Sequence, residues 1–155
     1  MNATPKNPLS EMLTKKTIAL NVEVNDWKEA VQISGNLLVK IGAVKESYIP
    51  AMIEMVLSFG SYIVIAPGVA LPHARPEDGV IKPCMSLITL KTPVDFGNVH
   101  NDPVSLVIAF GTIDHDAHVK ALSKLARIIG DRSKVEALIN TESVEQVEEI
   151  LFTQD

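Results

Sequence analysis

The chain has 155 residues, 46% of them apolar and 21% charged, a globular composition that fits one domain over residues 1–155 and buries about 70% of its unfolded surface. The 19 acidic against 14 basic residues leave a net charge of −5, which argues against a nucleic-acid partner because no basic patch is present to neutralise phosphates. A single cysteine, Cys84, excludes an internal disulfide. With no signal-peptide core and no apolar run of about 18 residues, a cytoplasmic chain without membrane insertion is expected.

Residues 1–8, with Pro5 and Pro8, read as a lead-in to a short helix over about Leu9 to Lys15. Ile18 to Val24 alternates and predicts a first strand. Asn25 or Asp26 then caps a helix in which Trp27, Ala30, Val31, Leu37, Leu38 and Ile41 recur near helical spacing, closed by Gly42 as the left-handed residue past its end. A third helix starts at Ser47, tolerates Pro50 in its first turn, carries Ile49, Met52, Ile53, Val56 and Leu57, and stops at Gly60.

From Tyr62 the period changes. Tyr62 to Ile65, Ala70 to Leu71, Met85 to Leu90 and Val104 to Phe110 are short apolar runs bounded by Gly or Pro. The last two read as central strands covered on both faces. Cys84, at the start of one, reads as an inert core thiol rather than a nucleophile. Three helices finish the chain: His115 to Ile129 capped by Asp114, Arg132 to Ile139 capped by Asp131, and a last one to Phe152 opened by a Ser143–Gln146 capping box. Helices before and after a block of strands predict an α/β sandwich, a sheet covered on both sides.

The most informative stretch is Ala66 to Gly79. Pro72 holds Leu71 extended, Ala74 adds no bulk and Pro76 stiffens the exit, so His73 is mounted rigidly. His115 and His118 fall in the first turn of a helix, where free N–H groups and the dipole form an anion site. If the strand ends bring His73 and this helix start together, a nucleophilic imidazole faces an anion cradle, which suits phosphoryl transfer. Arg75, one of only three arginines, reads either as a phosphate clamp or as an exposed partner of Glu77 or Asp78. His73 could instead be a structural imidazole, His118 a core histidine, and His100 an exposed loop residue. A metal site built from His115, His118 and His73 or His100 is a weak rival, since helical zinc pairs favour a spacing of four. Neither a Walker motif nor a nucleophile elbow is present. Pro67, Val69 and Leu71 around His73 read as an apolar docking patch.

Gly68-Val69-Ala70-Leu71-Pro72-His73-Ala74 resembles the signature of the mannitol/fructose-type enzyme IIA of the bacterial sugar phosphotransferase system. The flanking Ala66-Pro67-Gly68 and Arg75-Pro76-Glu77-Asp78-Gly79-Val80 look most like its L-ascorbate-specific branch, and the resemblance runs over nearly the whole chain. It implies a three-layer α/β/α sandwich with a mixed, roughly five-stranded sheet. By the same resemblance His73 takes a phosphoryl group from the carrier HPr, as a tele-phosphohistidine, and hands it to a cysteine of enzyme IIB, while the membrane enzyme IIC imports the sugar. His118 matches the second active-site histidine and would steady the phosphoryl oxygens, with no metal, nucleotide or other cofactor required. A homo-oligomer is compatible with this reading, and a regulatory relative on the same fold and a His-ligated metallohydrolase are the alternatives. One departure stands out. The mannitol branch carries an arginine on the helix before the signature, whereas Ser47 to Phe59 has Glu54 and Met55 and no arginine. Either Arg75 takes that charge role, or the site relies on backbone donors and His118.

Overall fold

A computed structural model describes residues 9–113 and 115–152, without the side chains of His115, Ala117 and His118. In chain order the regular elements are Ile18–Val22 (β1), Trp27–Lys40 (α1), Tyr48–Phe59 (α2), Val64–Ala66 (β2), Val69–Ala70 (β3), Cys84–Val94 (β4), Val104–Gly111 (β5), His115–Ile129 (α3), Arg132–Asn140 (α4) and Val144–Phe152 (α5). The five strands form one sheet in the order β1-β4-β5-β3-β2. It is mixed: β1 runs parallel to β4, β4 antiparallel to β5, β3 parallel to β5, and β2 antiparallel to β3.

The alternation along β5 builds the layers. Leu106, Ile108 and Phe110 face a core completed by Leu125 and Ile128 of α3, Val135 and Leu138 of α4, and Val147 and Leu151 of α5. Val107 and Ala109 face the opposite core, with Ala30, Val31 and Leu38 of α1 and Tyr48, Met52 and Val56 of α2. A strand covered on both faces must be apolar at successive positions. The fold is thus the expected three-layer α/β/α sandwich. Cys84 lies in the second core, and burial pushes its thiol up to about 11. It stays protonated and inert.

Local chemistry sets the helix ends. The Asp26 carboxylate accepts the Glu29 N–H at 2.9 Å, and Asp131 accepts those of Ser133 and Lys134, each supplying an acceptor to a free first-turn donor. Gly42 takes the left-handed conformation past α1, with φ of +73°. Ser143 Oγ accepts the Gln146 N–H at 3.2 Å, one half of the expected box. The other half is altered: the Gln146 side-chain oxygen takes the Thr141 hydroxyl, and Thr141 Oγ1 accepts the Ser143 N–H. The expected cap Asp114 lies outside the described residues.

Two expectations are corrected. The helix over Leu9 to Lys15 is a single turn closed by the Leu13 N–H on Leu9 O, followed by a three-residue 3-10 turn at Lys15–Thr17. Leu9 and Leu13 are drawn into the core, and Met12 O is taken by the Met85 N–H of β4 rather than by a continuing helix. The first strand stops at Val22, where Asn21 turns to φ of +53° and donates its N–H to Thr89 Oγ1. Asparagine tolerates that conformation better than other non-glycine residues.

Candidate active site

After β3 the chain leaves the sheet as an extended strap, Leu71 to Arg75, held on three sides. The Leu71 N–H donates to Ile63 O at 2.9 Å, and the Phe110 N–H donates to Pro72 O at 3.2 Å. The Tyr48 hydroxyl accepts the Ala74 N–H at 3.0 Å and donates to Phe110 O at 2.8 Å. Burial pushes the Tyr48 phenol far above its ordinary range, so it stays protonated. Before the strap, Pro67-Gly68 turns β2 into β3. Gly68 sits at φ of +79°, which glycine adopts without strain, and its carbonyl accepts the Ser105 and Leu106 N–H groups.

The mounted ring is that of His73. Its Nδ1 lies 2.8 Å from Leu71 O. A carbonyl can only accept, so Nδ1 carries the proton and Nε2 keeps its lone pair. The ring stacks on Phe110, with centroids 4.7 Å apart and planes at 24°, and Tyr62 meets it edge-on at 6.0 Å. Burial lowers the His73 pKa below the ordinary histidine value, against an opposing push from the Leu71 hydrogen bond. The imidazole is therefore neutral and nucleophilic at neutral pH.

A pH dependence follows with a definite sign. If His73 accepts a phosphoryl group, as the Gly68–Ala74 resemblance implies, its rate of acceptance should stay level from pH 8 down through the ordinary histidine value of about 6.5 and fall only below it. Because the unfolded chain binds this proton more readily, the His73 contribution to stability is full above that value and is lost as pH falls through the folded pKa. Stopped-flow or quench measurements of phosphorylation against pH check this; a rate already halved at pH 7 contradicts it.

Beside the ring opens a cavity of about 260 Å³ with almost wholly apolar walls. Tyr62, Ile63, Ile65 and Leu71 line it from the strap side, Phe110 from β5, and Leu122 and Ala126 from α3. Helix α3 and the His73 ring thus line the same cavity. Position 118 lies one turn before Leu122 and two before Ala126, on the same helical stripe. The side chains of His115 and His118 lie outside the described residues.

The other expected site residues fall differently. Val69 is fully buried and Leu71 is 6% exposed, so strand alternation and core packing take both away from a docking rim. Pro67 is exposed, and its carbonyl accepts a hydrogen bond from Arg132 at 3.0 Å. The exposed apolar residues beside His73 are Tyr62 and Ile65, at 45% and 47%. Arg75 is turned to Asp78, with Nε and one terminal nitrogen each 3.3 Å from a carboxylate oxygen, and lies 3.5 Å from Glu77. Of its two expected roles, the structure shows the exposed loop pair. It does so beside Glu54, Met55 and Ser58 of α2, the helix where the mannitol branch places its arginine. His100 is exposed in a turn whose N–H donates to Asn98 Oδ1.

Sequence reading missed Tyr48 and Phe110. Tyr48 could have been found only as a buried hydroxyl demanding a partner, and Phe110 only as the last large residue of a strand ending beside the strap.

The model of the family described as phosphoenolpyruvate-dependent sugar phosphotransferase system, EIIA 2, matches residues 11–153. The chain belongs to this family. Such EIIA components are phosphotransferases that carry a phosphohistidine. This EIIA 2 chain is 37% identical over 136 residues to the ascorbate-specific PTS system EIIA component of Salmonella choleraesuis, covering 87% of this chain and 88% of the relative. It also resembles the solution structure of the mannitol-specific cryptic phosphotransferase enzyme IIA of Escherichia coli, with TM-score 0.83, 34% identity and coverage of 93% and 97%. The Escherichia coli complex of enzyme IIA and phosphorylated enzyme IIB for mannitol gives TM-score 0.79 at 28% identity, covering 90% of this chain and 96% of that one. Among the described residues, no helix is long and apolar enough to cross a membrane.

Proposed function

We propose that this chain is the cytoplasmic phosphocarrier of a sugar phosphotransferase system for L-ascorbate or a related compound, with His73 as the phosphoryl acceptor. The observation that carries the reading is the Nδ1 contact to Leu71 O, which leaves Nε2 as the ring's nucleophile. In the forward step Nε2 attacks the phosphorus of phospho-HPr. The donor nitrogen–phosphorus bond breaks as the new one forms, and the donor imidazole leaves with the electron pair. In the second step a thiolate of enzyme IIB attacks the same phosphorus and His73 is regenerated neutral. Little covalent help is needed. Positioning and charge stabilisation supply the rate.

The charge stabilisation falls to α3. Its 15 residues begin beyond the end of β5, and its stripe at 122 and 126 borders the His73 cavity. The N–H groups and dipole of a helix start favour phosphoryl oxygens, and His118 on the same stripe is the proposed stabiliser. The Ala74 N–H is not available for this, since Tyr48 takes it. Arg75 would have to leave Asp78 to reach a phosphoryl group. Docking is assigned to Tyr62 and Ile65, the exposed apolar residues on the cavity lip, which give HPr and enzyme IIB one shallow face to share. Likeness to the ascorbate-specific component of Salmonella choleraesuis supports the sugar class. The structure of enzyme IIA with phosphorylated enzyme IIB supports the acceptor, and enzyme IIC would complete the uptake.

The test is a reconstituted relay of phosphoenolpyruvate, enzyme I, HPr, this chain and enzyme IIB of either the ascorbate or the mannitol type. Transfer to the ascorbate-type enzyme IIB should be at least tenfold faster. His118→Ala should slow this transfer by about 100-fold or more while leaving thermal unfolding in place. Faster transfer to the mannitol-type enzyme IIB would overturn the sugar class. An unaltered rate for His118→Ala would remove the stabiliser.

A further inference from the structure

We propose that Tyr48 is a positioning residue for phosphoryl transfer, its hydroxyl pinning the strap that carries His73 to the end of β5. The inference rests on reading His73 as the phosphoacceptor. Tyr48 is the first residue of α2 and is fully buried. Its ring fills the core between α1 and the sheet, a task phenylalanine would perform equally well. The hydroxyl is what packing does not need, because burying it without partners is unfavourable. Here it is used in both directions. It accepts from Ala74 N, 26 residues away, and donates to Phe110 O, 62 residues away.

Those two groups flank the nucleophile. Ala74 follows His73 directly, and Phe110 is the residue on which the His73 ring stacks. On the other side of His73, Pro72 O is held by the Phe110 N–H. Residue 110 therefore grips the strap at two points, directly at Pro72 and through the Tyr48 oxygen at Ala74. Two attachments fix an angle that one cannot. Without the hydroxyl the strap keeps its holds at Leu71 and Pro72 but loses the one at Ala74, and the ring loses its set distance to Phe110. An imidazole attacking in line is sensitive to such displacement, since a shift near 1 Å can cost about 100-fold.

The experiment uses Tyr48→Phe in the full chain, with the His73 ring observed by ¹⁵N NMR beside the relay rate. The expected result is a folded protein whose phosphorylation rate falls at least tenfold at an unchanged KM for phospho-HPr. His73 should lose its single Nδ1–H tautomer pattern and titrate closer to an ordinary histidine. A Tyr48→Phe protein with the parent rate, tautomer and titration overturns the proposal, even if its unfolding temperature drops. A measurement on the unaltered chain stands independently of how the variant folds. The Ala74 amide should exchange slowly with solvent deuterium, and exchange at the rate of an exposed loop amide also overturns it. Failure of the phosphoacceptor reading is distinguishable, because it appears as full labelling of His73→Gln while the His73 resonances of the Tyr48→Phe protein still report on positioning.

Discussion

Replacement of His73 by glutamine is expected to lower phosphorylation of this chain by roughly 10⁴-fold or more, because in the proposed relay His73 forms the new bond to phosphorus. Glutamine keeps much of the volume and an N–H donor for Leu71 O, but its amide nitrogen has no free lone pair to attack phosphorus. The fold should survive. The ring is half-buried, its Nδ1 hydrogen bond is to a carbonyl two residues away, and the strap is held independently by Ile63, Phe110 and Tyr48. Unfolding free energy should change by no more than about 1–2 kcal/mol. Radiolabel transfer from phospho-HPr and thermal unfolding, measured on the same sample, check both halves. Labelling at the parent rate would exclude His73 as acceptor.

The largest stability loss is expected at β5, the strand on which both layers and the site depend. Ile108 is fully buried, pairs across the antiparallel ladder with Leu87, and faces the α3 side two residues before Phe110. Ile108→Ala removes three buried carbons and leaves a cavity that a close-packed sheet cannot fill, at a cost of about 2–5 kcal/mol. For a chain of this size that is a fall of roughly 5–15 °C in unfolding temperature. Urea unfolding should show a lower midpoint with an unchanged slope. A loss below about 1 kcal/mol would contradict close packing of Ile108 between β4 and α3.

Much of this was legible along the chain, for reasons that differ by element. Asp26 and Asp131 announced their helices because a cap acts within three residues, and Gly42 announced an ending for the same reason. The runs at Met85 and Val104 were legible because burial on both faces leaves no polar position to confuse the pattern. The rigid mounting of His73 was legible because proline restricts the backbone wherever it stands. What escaped was set at long range. Leu9 and Leu13 carry helical spacing, yet pairing with β4 claims Met12 O and ends the helix after one turn. Val69 and Leu71 look along the chain like a rim around the histidine, because the sequence does not show that β3 lies next to β5, inside the sheet. Arg75 suits two roles by sequence, and only the position of Asp78 at the end of a 3-10 turn selects the exposed pair. Tyr48 left no local trace at all, since its two partners lie 26 and 62 residues away.

The most direct test concerns one nitrogen. The protein, labelled with ¹⁵N at histidine and phosphorylated through phospho-HPr, can be examined by ³¹P and ¹⁵N NMR to locate the phosphoryl group on the ring. The expected result is a single phosphohistidine at residue 73, bonded through Nε2, with Nδ1 still protonated and held by Leu71 O. Phosphorus on Nδ1, or on any residue other than His73, would contradict it.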